Sequence, residues 1–294
     1  MKRLEPAVRF LQEIFNIWGV EKPARQAASL AYYGLFSIIP ILFIGLTVAD
    51  IFLDELTMTD QLFSWFENVL GPEVARFLEA QVSATSQLST GSSLLSSLIS
   101  FGALLYAASG LFVQLQYALN TIWQVPLVPQ GWVRGFIIKR LLAFVMVIGV
   151  GLLFVVVTAS SVIVSMLSSL IDWGRFIDWG GSIPLVNNVT FIVLTTISFA
   201  LIYKYLPDAE IAWRDVWAGA GVSALLLNLG LGLFGLYFSR SNIGSAFEAA
   251  GAVAVFLIAF NYGAQIFLFG AVFSRVYAGM FGSKKSSNEG QKAI

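Results

Sequence analysis

The chain contains no cysteine and no histidine, and only 12% of its 294 residues are charged. The lack of cysteine excludes disulfide bonds and thiolate metal sites. The lack of histidine removes the commonest general base and metal ligand, and it excludes every catalytic triad built on that residue. We therefore expect no metal, no cofactor and no enzymatic activity. The formal net charge is zero, so we also expect no nucleic-acid partner.

Apolar residues are correspondingly abundant in the sequence. They make up 57% of the chain, and the mean hydropathy is +0.80, whereas soluble domains carry about 25% charged residues. The 24 residues from 26 to 49 include no charge, and a helix of that length crosses a bilayer core of roughly 30 Å. The composition predicts an all-α integral membrane protein.

Apolar runs along the chain predict six transmembrane helices within one domain, residues 1–282. The predicted spans cover about 27–53, 94–120, 136–170, 185–205, 216–238 and 249–276. Leu4, Val8, Leu11, Phe15 and Trp18 recur at helical spacing, which predicts an amphipathic N-terminal helix on the membrane surface or packed under the bundle. Residues 54–90 are more polar and predict two short helices, separated at Gly71-Pro72. We expect residues 283–294 to be a disordered tail.

The distribution of basic residues predicts the orientation. Six spans place both termini on one side, together with 14 basic residues, whereas the other side has Arg76, Arg175 and Arg240. The positive-inside rule then places both termini in the cytoplasm. The two short helices after the first span would be extracytoplasmic.

Polar residues within the predicted spans are the candidates for lining a substrate path. Pro40 interrupts the first span, and it allows either a kinked helix or a broken helix that lines a cavity. The tyrosines near it could anchor at the interface, and the amides could make interfacial hydrogen bonds. The full set of candidates is Tyr32, Tyr33, Pro40, Gln114, Gln116, Asn120, Asn228, Asn261 and Gln265.

Glycines recur along the fifth predicted span. We expect a neighbouring backbone to pack closely against them, because small residues allow helices to approach. Such faces serve packing within the chain and dimerisation equally, so an oligomer is possible. These glycines are Gly219, Gly221, Gly230, Gly232 and Gly235.

Four stretches carry a family resemblance: AASLAYYGLFSIIP, ASGLFVQLQYALNTIWQV, LIYKYLPDAEIAWRDVWAGA and GAQIFLFGAVFSRVYA. In this order they resemble the YihY/BrkB family over nearly the whole chain. The resemblance implies a bacterial inner-membrane protein with six helices. Members have been called virulence or serum-resistance factors, suspected transporters and candidates for moving lipid. The chain departs from the family pattern at Tyr117, Leu231 and Val272, where the resemblance implies Asp, Lys and Glu.

An older label for this family is ribonuclease BN. Hydrolysis of RNA needs a metal site, or a general acid and base, in a water-filled cleft. The sequence has no histidine or cysteine for these roles and no carboxylate cluster within a predicted span. We do not expect ribonuclease activity.

Two functions fit the sequence. The first is a transporter or lipid translocator of the cell envelope, whose amides guide a lipid headgroup and whose partners are membrane lipids. The second is a docking or structural protein of the envelope, which binds a protein partner through the extracytoplasmic residues 54–90. A transporter needs a polar cavity that reaches the membrane midplane, lined by Asn228 and Asn261. A docking protein would instead have a dry core, with those amides bonded to each other or to backbone.

Overall fold

The computed structural model describes residues 5–50, 55–89, 94–125, 183–238 and 248–283. Within these ranges the chain forms eight α-helices and no strand. They are α1 (Glu5–Glu21), α2 (Pro23–Asp50), α3 (Glu55–Leu70), α4 (Pro72–Ser89), α5 (Leu94–Ile122), α6 (Ile183–Tyr205), α7 (Trp213–Phe238) and α8 (Glu248–Met280). The predicted third span, 136–170, lies outside the described residues, as do residues 284–294 of the predicted tail.

Five of these helices are long and apolar enough to cross a membrane, namely α2, α5, α6, α7 and α8. The prediction of an all-α membrane protein is confirmed, together with its amphipathic N-terminal helix and two short helices after the first span. The count of six spans includes the segment outside the described residues, and it stays a prediction.

Proline and backbone turns set the boundaries of the first four helices. Lys22 adopts a positive φ of 49°, and Pro23 then opens α2, where its missing N–H costs nothing. Gly71, with φ 91°, ends α3, and Pro72 opens α4. In contrast, α2 is continuous through Pro40, so the structure does not support the interpretation of a broken helix.

The helix α8 is the centre of the bundle. It packs against α1, α2, α3, α4, α5 and α7. Its first half contributes Val255 and Phe256 to a core shared with Leu62, Phe66 and Leu78 of α3 and α4. The short helices therefore cover one end of the bundle, which we call the α3–α4 end.

The opposite end of the bundle gathers α1 with the last turns of α5 and α8. Ile17, Ile122, Leu206 and Val276 lie in one buried cluster. We call this the α1 end. Because α1 and the end of α8 meet here, α3 and α4 lie at the end of the bundle remote from both of these segments.

The backbones of α7 and α8 are in direct contact. A Cβ atom on Gly270 would come within 2.6 Å of the Tyr203 hydroxyl and 2.7 Å of the Gly219 carbonyl. Gly219 in turn lies against the Gly270 backbone and the Ser274 hydroxyl. Only residues without a side chain allow this approach.

The remaining glycines of α7 do not share this contact. Gly230 faces Ile266 of α8, and Gly235 faces the carbonyl of Asn68 in α3. Within the described residues, Gly221 and Gly232 have nothing within 4 Å of a Cβ atom. Close packing is therefore shown for Gly219, and for Gly221 and Gly232 it stays a prediction.

The contact predicts different effects for two matched substitutions. Gly270→Ala must displace backbone, and we expect it to destabilise the bundle by about 1–3 kcal/mol, the usual cost of overpacking. Gly221→Ala adds the same methyl group where no described residue lies within 4 Å, and it should leave the stability unchanged or raise it slightly. Melting curves of both variants in the same detergent measure the difference. Equal melting temperatures would contradict the structure.

Candidate functional site

Two amides form a hydrogen-bonded pair near the middle of α8. The Gln265 Nε2 donates to the Asn261 Oδ1 at 2.6 Å, and both side chains are half-buried. The span containing them runs from Ala250 to Met280, so the pair lies near the middle of this helix. Within the described residues, one hydrogen bond uses only part of the capacity of the two amides, which leaves capacity for a polar ligand.

Asn228 of α7 lies at the same depth as this pair. The two helices are antiparallel, and their register places Leu227 beside Gly263 and the ring of Phe234 5.8 Å from that of Tyr262. Asn228 is half-buried, and within the described residues no hydrogen bond joins it to Asn261 or Gln265. The three amides therefore share a depth without forming one network.

Gln116 and Asn120 lie far from that level, near the end of α5. Gln116 Nε2 donates to Asp208 Oδ1 at 3.2 Å, and Asn120 Nδ2 donates to Asp208 Oδ2 at 2.8 Å. The Asp208 backbone N–H donates back to Asn120 Oδ1 at 2.8 Å. These two amides hold the loop between α6 and α7 against α5. They use their hydrogen-bonding groups within the protein.

The other candidates are also separate from the amide pair. Gln114 Nε2 donates to Gln26 Oε1 at 3.4 Å, which joins α5 to α2. Tyr32 and Tyr33 are exposed and pack ring against ring, with centroids 5.7 Å apart. Pro40 is buried in the bundle. The structure thus brings Asn261 and Gln265 into contact and places Asn228 at the same depth. It does not gather all nine candidates into one site.

Sequence reasoning missed an ionic contact at the α1 end. Arg275 of α8 donates to the carbonyl of Ile122, and its guanidinium lies 3.5 Å from the Glu21 carboxylate. The same carboxylate accepts a 2.7 Å hydrogen bond from Gln124 Nε2. This contact joins α1, α5 and α8, and nothing in the spacing of these residues indicates it.

A second missed contact involves Asp215, which is fully buried in the first turn of α7. Its carboxylate accepts a 2.5 Å hydrogen bond from the hydroxyl of Ser283, and a Cβ atom on Gly282 would collide with it. Ser283, the first residue of the predicted disordered tail, is therefore held against the bundle. A carboxylate directly before the predicted fifth span was the signal available in the sequence.

A third missed network joins α6, α7 and α8. The Tyr203 hydroxyl donates to the Phe267 carbonyl at 2.5 Å and lies 3.1 Å from the Ser223 hydroxyl. Ser223 donates to the Ile266 carbonyl at 3.0 Å. All of these groups lie beside the Gly219–Gly270 contact, so the network reinforces the packing of the three helices.

The three departures from the family pattern do not lie together. Val272 is fully buried in the core, Leu231 is half-buried, and Tyr117 is half exposed. The structure gives no common site for these positions.

The sequence profile of the family named Virulence factor BrkB matches residues 21–294. The chain belongs to this family. The resemblance carried by the four sequence stretches is thereby confirmed. No solved structure matches the chain.

Curated relatives of the BrkB-family chain are named as membrane proteins. A UPF0761 membrane protein of Verminephrobacter eiseniae is 28% identical over 84% of this chain and 56% of its own length. One from Teredinibacter turnerae is 25% identical over 92% of this chain and 60% of its own length. One from Cronobacter sakazakii is 29% identical over 81% of this chain and 77% of its own length.

The chain thus spans little more than half the length of the first two relatives. Together, the family and the apolar helices make this a multi-pass membrane protein.

Gln116 and Asn120 both bond the Asp208 carboxylate, an arrangement that we call the Asp208 clamp. The clamp predicts an energetic coupling between these residues. Asp208→Ala leaves the buried Gln116 amide without this acceptor, which costs about 1–3 kcal/mol. Because Asn120 shares the same carboxylate, the effects of Asn120→Ala and Asp208→Ala should be non-additive by about 1 kcal/mol in a double-mutant cycle. Melting in detergent measures the cycle, and Glu210→Ala, an exposed carboxylate of the same loop, is the control. Strict additivity would show that the Asn120 amide and the Asp208 carboxylate are not energetically coupled.

Proposed function

We propose that this BrkB-family chain is a transporter of the bacterial inner membrane, and more narrowly a translocator of phospholipid, without enzymatic activity. The observation that carries the proposal is half-buried Asn228, which lies at the depth of the Asn261–Gln265 pair in the middle of α8 and bonds to neither amide within the described residues. The hydrogen bond within the pair agrees equally well with a docking protein. Polar groups within a membrane span are costly, and they mark functional positions by default.

The exposure of neighbouring residues favours an amphipathic cargo. Tyr262, next to Asn261, has 53% of its surface exposed, so this level of α8 reaches the outer surface of the described bundle. A phospholipid can place its headgroup against the amides while its acyl chains stay in the bilayer. Amides donate hydrogen bonds to phosphate and ester oxygens, and they need no ion gradient to do so.

The orientation is part of the proposal. We place both termini in the cytoplasm, on the side where the basic residues concentrate. The arrangement of the bundle supports this topology, because α3 and α4 lie at the end remote from α1 and from the end of α8. These two short helices would then face the extracytoplasmic side.

Lipid movement in reconstituted vesicles tests the proposal. Fluorescent phospholipid is placed in both leaflets, and a membrane-impermeant reductant is added outside. We expect bleaching to proceed beyond half, and the double variant Asn261→Leu, Gln265→Leu to slow it by about tenfold, or ~1.4 kcal/mol of barrier. Asn228→Leu should slow it as well.

The control for this assay is Gln81→Leu, which removes an exposed amide of α4 outside the spans. It should bleach like the unmodified protein. Bleaching that stops at half for the unmodified protein, as in empty vesicles, would contradict lipid translocation. Unchanged bleaching rates in all variants would show that the amides play no part in the mechanism.

A docking function is the second candidate, and the outer face of α3 and α4 favours it. Asp60, Glu67 and Glu79 are exposed there, together with 40% of the surface of Trp65. An acidic surface with an exposed aromatic ring suits a basic envelope protein. This function requires no lipid movement, and binding should be lost when Glu67 and Glu79 are both replaced by lysine.

A further inference from the structure

The helix α1 packs on the bundle with only part of its apolar surface. Ile14 and Ile17 are buried. Phe10 contacts Phe273 with ring centroids 4.9 Å apart, and Trp18 contacts Phe269 at 6.0 Å. These four side chains form the face that meets α8.

A second apolar stripe of α1 is left uncovered. Val8, Leu11 and Phe15 are 49%, 53% and 70% exposed. Their spacing of three and four residues places them on one line along the helix. Ile14 lies three residues after Leu11 and four before Trp18, so the exposed stripe directly adjoins the buried face.

Polar side chains occupy the remaining arc of the helix. Arg9, Gln12, Glu13 and Asn16 are all exposed and recur at the same helical spacing. The surface of α1 is thus divided among protein contact, exposed apolar groups and exposed polar groups. A helix lying in the plane of a membrane surface meets the three matching environments, namely protein, acyl chains and water.

The position of α1 agrees with such a plane. The helix begins beside α8, where Phe10 also contacts Phe281, and it ends at Glu21, which bonds Gln124 just past α5. It therefore lies beside the last turns of α8 and against the end of α5, at the α1 end of the bundle.

Exposed aromatic residues mark a membrane boundary at the same end of the bundle. Tyr205, Trp213 and Trp217 are 54%, 40% and 45% exposed, and their rings follow one another at 5.8 Å and 6.4 Å. Tyrosine and tryptophan collect where the bilayer meets water. These residues lie at the end of α6 and the start of α7, beside the buried cluster that contains Ile17 of α1.

We propose that α1 is an in-plane membrane helix whose Val8–Leu11–Phe15 stripe inserts among the acyl chains of the leaflet at the α1 end. Its partner is the phospholipid surface of the bilayer that the bundle spans. The aromatic residues at this end and the continuity of the stripe with the face packed on α8 identify lipid as the occupant. The proposal holds whether or not the amides of α8 move lipid.

The absence of native cysteine allows a direct test. Phe15→Cys and Asn16→Cys are prepared as single-cysteine variants, labelled with an environment-sensitive fluorophore and reconstituted into phosphatidylethanolamine–phosphatidylglycerol vesicles. We expect a blue-shifted emission at position 15, with more than half of its intensity lost to lipids spin-labelled near the headgroup. Position 16 should respond to aqueous iodide instead.

Two further variants keep the test independent of any one substitution. Val8→Cys repeats the measurement on the exposed stripe, and Gln12→Cys repeats it on the polar arc. All four positions are exposed, so equal melting temperatures check that the fold is intact.

Two outcomes would overturn the proposal. Iodide quenching at positions 8 and 15 that equals the quenching at 12 and 16 would place the stripe in water. Protection of positions 8 and 15 from both iodide and the spin-labelled lipids would show that protein, such as a second copy of the chain, covers the stripe.

Discussion

The contact between the backbones of α7 and α8 at Gly219 and Gly270 is the constraint on which the other positions depend. Lipid tails are as apolar as leucine, so helices in a bilayer gain little from hydrophobic attraction and associate through close packing and hydrogen bonds. Here both are present, since the Tyr203 and Ser223 hydroxyls bond α8 carbonyls beside the glycines. This contact sets the register that places Asn228 at the depth of Asn261.

The polar groups of the bundle divide into two kinds by position. At the α1 end, Asp208 accepts a hydrogen bond from Asn120 of α5, and Glu21 accepts one from Gln124, just past α5. Ser283 donates to Asp215. These groups satisfy one another and tie loops and helix ends together. Among the described residues, the midspan pair Asn261–Gln265 ties no second helix to α8, because its hydrogen bond lies within that helix. A polar group that gives no packing benefit within a span calls for a functional reason.

The sequence predicts the membrane-spanning segments because length and hydropathy decide them. The observed α5, α6, α7 and α8 overlap the predicted spans, and Gly71-Pro72 separates α3 from α4 as its turn chemistry requires. Of the two interpretations that Pro40 allows, the continuous helix agrees with the structure, since α2 continues through it. A proline alone does not distinguish a tolerated kink from an interruption, because that depends on the helices packed around it.

The sequence could not predict which face of each span packs inward. Apolar residues surround α6 and α8 on all sides. The sequence therefore does not distinguish Gly219 from Gly221 on the intervening α7, although of these two only Gly219 contacts α8. The partners of Gln116 and Asn120 are similarly hidden, because Asp208 is 92 and 88 residues away along the chain. Such pairings depend on tertiary packing, which periodicity does not report. The amide pair was visible because its two residues are one helical turn apart.

The central place of α8 connects the three regions to which we assign roles. Its first half packs on α3 and α4, its middle carries the amide pair, and its second half holds α1 through Phe269, Phe273 and Arg275. Phe260, next to Asn261, lies against Gly34 of α2, where a Cβ atom would meet the ring at 2.6 Å. Packed interiors transmit displacement because they contain little free volume. A tilt of α8 that opened the amides to a headgroup would therefore also move α1 in the leaflet and α3–α4 at the opposite surface. In this bundle, the proposed lipid translocation and the proposed partner docking at the α3–α4 end would both depend on the position of α8.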